Sequence, residues 1–386
     1  MPVDLSAETY ATFKAALGRA RSHQEQGSQQ EAAAAYRQCS RLMAKYATYA
    51  VSPKAKASRE ENARGYMVLA EQLESGKVPL AAAEGPVGPE DYEGEIGSLI
   101  HKSTITWDDI GGLEETKREI KAAYGLTLAR KPEGVRLTGW EKMLFYGPPG
   151  TGKTLLAAAT SNGLEATFFN VKVSNLLSKY FGESTKLISA LYQHARERSP
   201  SVVFLDEFDS LGVPRGMGDS GAERRVVSTM LAELDGLSGK DSEAYVLTIG
   251  ATNVPWLVDK ALLSRFEKKI YIPLPDSDAR RSIFEINLEG RGYQTSIPLD
   301  RLVKQTERFS GRELDRLCRE AIAYMVKEMN PDLIDEVDKG LEAIERYEIR
   351  VRPLTEADFE RALAVVAPET SEADLRRFQQ WRKGLD

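Results

Sequence analysis

The sequence predicts an α/β fold: a five-stranded parallel sheet closed by a C-terminal helical lid and preceded by an all-α three-helix bundle. Three observations carry this. Apolar strand-like runs alternate with helical patterns between Thr104 and Pro275, as a parallel sheet with crossover helices demands. A Gly-rich loop joins one of those runs to a strong helix-forming stretch. Residues 1–76 hold three helical stripes and no strand signal.

The bundle is read from period alone. Tyr10, Phe13, Leu17 and Ala20 form one stripe; Tyr36, Cys39, Met43 and Tyr46 a second; Ala63, Tyr66, Ala70 and Leu73 a third. Gly27-Ser28 and Ser52-Pro53 break the pattern. Ser28 with Glu31, and Ser58 with Glu61, have the spacing of capping boxes that would start the second and third helices. Residues 77–103 turn to Gly, Pro and acidic residues and read as a flexible tether. The large α/β part then runs over 104–275 and the helical lid over 276–386.

Bulk composition narrows the function. The net charge of −6 argues against direct nucleic-acid binding. No run approaches the ~20 apolar residues that span a bilayer, and the amino-terminal residues lack a signal-peptide pattern. Cys39 and Cys318 sit at apolar positions of helical patterns, which suggests buried thiols. A cytoplasmic enzyme is expected.

In the sheet, Lys142–Tyr146, Ala166–Val171, Ser201–Asp206, Tyr245–Gly250 and Lys269–Pro273 read as strands. The first leads into Gly147-Pro148-Pro149-Gly150-Thr151-Gly152-Lys153-Thr154, followed by Leu155 and a helical run. Such a loop aims successive backbone N–H groups at one point, at the positive end of a helix dipole. Lys153 would reach the β- and γ-phosphates of ATP, and Thr154 would ligate Mg²⁺. A plain turn needs no Lys-Thr at its end.

The third strand ends in Asp206-Glu207. Alone, that ending reads as a solvated turn. Beside a phosphate loop it opens onto the ligand crevice of the sheet. Asp206 would then help hold Mg²⁺ through water, and Glu207 would orient and activate the attacking water. The fourth strand runs into Asn253, whose amide can bond the γ-phosphate or that water. Ser310-Gly311-Arg312-Glu313, Thr355-Glu356-Ala357-Asp358 and Ser371-Glu372-Ala373-Asp374 each mark a helix start in the lid. Arg312 has two readings, a γ-phosphate sensor or a solvent-facing member of a capping box, and the second is preferred.

With these parts in order, residues 104–386 resemble the AAA family of ATPases, a branch of the P-loop NTPases. Trp107–Leu113 looks like that family's first segment, which implies that backbone near Ile110 and Gly111 meets adenine. Arg265-Phe266 looks like its trans-acting arginine region. Lys179-Tyr180-Phe181-Gly182 is similar to its first pore loop, which implies that the two aromatics grip a polypeptide. Composition alone would make those aromatics core. Gly212–Gly221 reads equally as a second pore loop or as an ordinary surface loop.

Asn253–Trp256, Phe266–Pro275 and the ending at Ala367–Ser371, Leu375 and Trp381 narrow the resemblance to the meiotic clade. Within it they are similar to the group that disassembles ESCRT-III polymers, vacuolar protein sorting factor four and archaeal CdvC. The bundle resembles a microtubule-interacting-and-trafficking (MIT) domain. The resemblance implies an ATP-bound hexamer that pulls subunits from ESCRT-III-like filaments, held to membranes only through those partners. Two features depart from that group: Ser264 stands where a first arginine is usual, and Glu328–Arg352 is too short for a strand-containing insertion. Microtubule severing is the nearest alternative. Against it, segment 76–105 carries two lysines and five acids, a net of −3, whereas severing proteins use basic linkers. A proteasome-type unfoldase would need a penultimate aromatic, and Leu385 stands there. A slow nucleotide-gated adaptor is suggested only by Ser264.

Overall fold

The computed structural model describes residues 5–49, 53–76, 93–130, 140–179, 184–212, 221–237 and 244–384. The chain divides into two compact units: Met1–Ile100 with Gly182–His194, and His101–Phe181 with Ala195–Asp386. Most of the expected tether, Tyr180, Phe181 and most of the Gly212–Gly221 loop lie outside the described residues.

In the first unit, helices α1 (Leu5–Glu25), α2 (Gln29–Ala47) and α3 (Pro53–Glu74) form the expected bundle. The sequence stripes are its buried faces, except that Ala16 rather than Leu17 is fully buried on α1. Ala32 and Ala33 on α2 have no exposed surface, and side chains that small let neighbouring helices approach closely. Tyr66 fills the centre and meets Phe13 edge-on at 5.6 Å. Neither expected capping box forms. Ser28 occupies the N-cap of α2 without a side-chain capping bond. Ser58 lies within α3, which opens five residues earlier at Pro53; proline suits a first helical turn because that N–H has no partner in any case.

The second unit is an α/β sheet with a helical lid. Its strands are β1 (Lys142–Tyr146), β2 (Thr167–Lys172), β3 (Ser201–Asp206), β4 (Val246–Thr252) and β5 (Lys268–Tyr271). They lie in the order β2-β3-β4-β1-β5 and pair in parallel throughout. A two-residue strand ending at His101 adds a sixth beyond β2, too short to leave a periodic signal. Phe145, Phe204, Leu205, Leu247 and Ile249 are completely buried, which is why these strands read as continuous apolar runs.

All three predicted starts in the lid, Ser310–Glu313, Thr355–Asp358 and Ser371–Asp374, form reciprocal capping boxes. The span between Glu328 and Arg352 contains two short helices, Leu333–Asp338 and Leu341–Arg346. The last helix, Glu372–Lys383, turns back onto the sheet. There Trp381 meets Tyr146 edge-on at 4.6 Å, and Phe378 sits 5.1 Å from Trp256 and 6.0 Å from Tyr271.

One buried ion pair holds the lid's lower corner. Arg352 donates to both carboxylate oxygens of Asp358, at 2.6 and 3.0 Å, and Asp358 is fully buried. Burial alone would raise that carboxyl's pKa, but hydrogen bonds from Arg352 and Thr355 hold it down to about 2. A depressed carboxylate stabilises the fold at pH above its unfolded value near ~3.9, and the contribution is lost as pH falls through about 2. Arg352→Met leaves that charge buried and unpaired, so it should cost about 3–5 kcal/mol in denaturant unfolding. An unchanged unfolding midpoint would show that the pair does not hold the lid.

Candidate nucleotide site

The site grows from the carboxyl end of β1. Gly147 has φ 150°, and a Cβ there would lie 2.1 Å from the Ile272 carbonyl oxygen, so only glycine lets the chain leave the strand. Gly150 and Gly152 have φ 74° and 93°, both in the region glycine tolerates best. Gly152 caps the helix Lys153–Gly163, whose first N–H groups have no intrahelical acceptors.

Lys153 is buried inside this loop and donates to the carbonyls of Gly147 and Pro148 at 2.9 and 2.7 Å. Thr151 donates to the Pro148 carbonyl at 2.9 Å. Thr154 and Leu155 face outward at the helix start. Burial pushes the Lys153 ammonium down to about 7; Asp206 and Asp209 pull it back up, and Arg312 pushes it further down. The sequence did not single out Asp209. It sits in the turn after Glu207 and accepts a 2.6 Å hydrogen bond from Thr252 at the end of β4, so the two carboxyl ends are tied together.

Glu207 has a left-handed backbone, φ 52°, and its own N–H donates to Asp206 Oδ1 at 2.9 Å. Its carboxylate is bonded twice: Lys172 Nζ lies 2.7 Å from Oε1, and Ser174 Oγ donates to Oε2 at 2.5 Å. These bonds lower its pKa, Lys172 first and Ser174 second. Asn253 is exposed just past β4. Lys172 and Ser174 carried no motif in the sequence. Only the pairing of β2 with β3, which sets Lys172 beside Asp206, brings them to the glutamate.

Ile110 is buried, and its carbonyl accepts from Lys117 Nζ at 2.7 Å. A Cβ on Gly111 would lie 2.7 Å from the Ile283 side chain, and one on Gly112 would lie 2.3 Å from that of Ala279. The expected adenine segment therefore packs directly on the lid helix Ser277–Asn287. Ser310 and Arg312 approach the phosphate loop from the same subdomain, with the Arg312 N–H donating to the Gly150 carbonyl at 3.1 Å. Arg312 is exposed and follows a capping residue, as preferred from sequence, yet its charge reaches Lys153.

Arg265 makes no bond to this constellation among the described residues. It forms a fork with Asp235, at 2.6 and 3.1 Å, and contacts Ser264 Oγ at 3.1 Å. Phe266 anchors it, buried edge-on against Phe208 at 5.1 Å and over Gly250. Lys179 ends the helix Val173–Lys179.

The loop fits a polyphosphate: a cation sits within it, three glycines open its backbone, and two carboxylates stand at the neighbouring strand end. ATP should raise the pKa of Lys153 by placing negative charge beside it. Binding above pH about 7 should therefore take up a proton, and affinity should fall with rising pH by up to roughly tenfold per unit. Calorimetry at pH 8 in buffers of different ionisation enthalpy measures this. Heats independent of the buffer would show that Lys153 is already charged in the free protein.

Residues 143–274 match the family described as the ATPase family associated with various cellular activities (AAA). The A1 form of the katanin p60 ATPase-containing subunit from Arabidopsis thaliana is 36% identical over 318 residues, covering 80% of this chain and 60% of that protein. The human A-like 1 form of the same katanin p60 subunit is 39% identical, covering 72% of this chain and 57% of that protein. This chain thus spans less than two thirds of those two relatives. For the A-like 1 form from Oryctolagus cuniculus the identity is 34%, covering 86% of this chain and 69% of that protein. Among solved structures, the FIGL-1 AAA domain in complex with ADP superposes with TM-score 0.62 at 32% identity, covering 76% of this chain and 97% of that one. A katanin structure described as the structural basis for katanin self-assembly gives 0.61 at 34% identity, covering 75% and 95%.

These relatives correct the expected likeness to the ESCRT-III-disassembling group, and with it the extraction of ESCRT-III-like subunits and the indirect membrane attachment. The segments that suggested that group do other work here: Trp256 and Trp381 pack the last helix, and Phe266 anchors Arg265. Neither task reports the client. The acidic count over 76–105, which had weighed against the alternative, reports on a tether and not on the ATPase core that these relatives share. With the nucleotide-loop geometry and these matches together, the chain belongs to the AAA family of ATPases, in the meiotic clade with katanin and FIGL-1, and is an ATP-hydrolysing enzyme.

Proposed function

We propose that this chain is a self-assembling ATPase of the microtubule-severing type, which uses ATP to pull subunits from a protein polymer. The observation that carries this is the identity with katanin p60 subunits over 72–80% of the chain. In this reading Lys153 binds the β- and γ-phosphates, and Ile110 and Gly111 lie against adenine. Thr154 and, through water, Asp206 would hold Mg²⁺, which supplies charge neutralisation at the phosphates when bound. Glu207 takes the proton of the attacking water, and Asn253 orients it. Lys179, Tyr180 and Phe181 line the pore of a hexamer, and the MIT-like bundle, joined by the acidic tether, selects the client. With no basic linker at 77–103, recognition of acidic tubulin tails falls to the bundle and the pore.

The full chain with ATP should shorten stabilised microtubules in a sedimentation or imaging assay, and Glu207→Gln should abolish this while still binding ATP. Intact ATP turnover without loss of polymer would reject the microtubule as client.

Arg265 supports assembly, because it stands apart from its own nucleotide site on a buried Phe266 anchor. It would complete the neighbour's site, where such an arginine is worth ~10³–10⁵ in rate in related NTPases. Mixing Arg265→Ala subunits with Glu207→Gln subunits should restore part of the turnover that each lacks. Demonstrably mixed oligomers with no recovery would exclude action across the boundary.

A further inference from the structure

Glu207 is held more tightly than a base awaiting water needs to be. Its backbone is fixed in the left-handed region, so the carboxylate can be re-aimed only through side-chain rotation. Both oxygens are engaged, Oε1 by the Lys172 ammonium at 2.7 Å and Oε2 by the Ser174 hydroxyl at 2.5 Å. Lys172 is the last residue of β2, and Ser174 lies in the first turn of the helix Val173–Lys179 that follows without a break. Two points on one strand–helix corner thus grip a residue at the end of the neighbouring strand. The other nearby charge is Asp206, paired in register with Lys172 across β2 and β3. It adds a second attraction for the ammonium and helps keep Lys172 over the carboxyl end of β3.

We propose that Lys172 and Ser174 form a positioning clamp that holds Glu207 in a resting arrangement, so that hydrolysis requires Lys172 to release it. The inference rests on the reading of Glu207 as the hydrolytic base and adds the residue that restrains it. Lys172 touches neither nucleotide nor water in this scheme; it acts only through Glu207. A carboxylate has about four lone-pair sites, so the clamp does not exhaust its capacity to accept a proton. It fixes where the carboxylate points and balances its charge with a cation. Because the two side chains are 50% and 38% exposed, solvent weakens the pair and it opens readily. The restraint is a modest one.

The test has two arms on the full-length protein. In the kinetic arm, Lys172→Met should raise kcat for ATP by roughly two- to tenfold, the scale of one half-exposed pair. Affinity for a fluorescent ADP analogue should be unchanged. Lys172→Arg, which keeps a cation in reach, should stay near the wild-type rate, and Lys172→Met combined with Glu207→Gln should be as inactive as Glu207→Gln alone. In the labelling arm, the Lys172 amine is acylated competitively and read by mass spectrometry, without turnover. Its reactivity should rise in Glu207→Gln, which removes the charge partner. An unchanged or lowered kcat in Lys172→Met, or a gain explained by altered nucleotide affinity, overturns the clamp. So does unchanged labelling. If Glu207→Gln itself hydrolyses ATP at the wild-type rate, the assignment of the base fails instead, and the labelling arm still decides whether the pair exists.

Discussion

Parallel pairing about β4 is the constraint on which the rest of this ATPase depends. β4 bonds to β3 on one side, with Leu205 opposite Gly250, and to β1 on the other, with Tyr146 opposite Thr252. Since all the paired strands run the same way, their carboxyl ends emerge along one edge. The phosphate loop, Asp206-Glu207 and Thr252-Asn253 come from segments far apart in the chain, and the ladder brings them to one crevice. Gly250 contributes a second consequence. With no side chain there, the Phe266 ring lies over the strand, and the chain leaving that ring presents Arg265 away from its own site.

The electrostatics of the phosphate loop follow from its tightness. Lys153 satisfies itself on the carbonyls of its own loop, with the Thr151 hydroxyl as a third, longer contact. Burial works against its charge, Asp206 and Asp209 work for it, and the lid adds Arg312 against it. Bound phosphate would reverse that balance. The lid thus takes part in the charge state of the loop through Arg312 and in its shape through Ser310, which fills the space a side chain on Gly150 would need.

The client is a different kind of question, and the correction from ESCRT-III filaments to a katanin-like reading shows why. The phosphate loop, the acidic strand end and the arginine anchor serve ATP chemistry, and that chemistry is indifferent to what the motor pulls. Resemblance among such segments identifies the clade and leaves the polymer open. The helices that would choose a client were legible only as a bundle of apolar stripes, a pattern that reports how α1, α2 and α3 pack and not what their outer faces bind.

By itself the sequence determined the phosphate loop, the five main strands, the bundle stripes and the three lid capping boxes. In each case the determining interactions lie within a few residues: a glycine dihedral, an apolar period, a hydroxyl three positions from a carboxylate. It misplaced the start of α3 because Pro53 can open a helix as well as Ser58 can cap one. Only the tertiary structure decided the partners of Glu207, the fork between Asp235 and Arg265, and the approach of Arg312 to Lys153. These contacts join side chains from separate strands and helices. They depend on strand order and register, and a one-residue slip of β2 against β3 would turn Lys172 to the other face of the sheet.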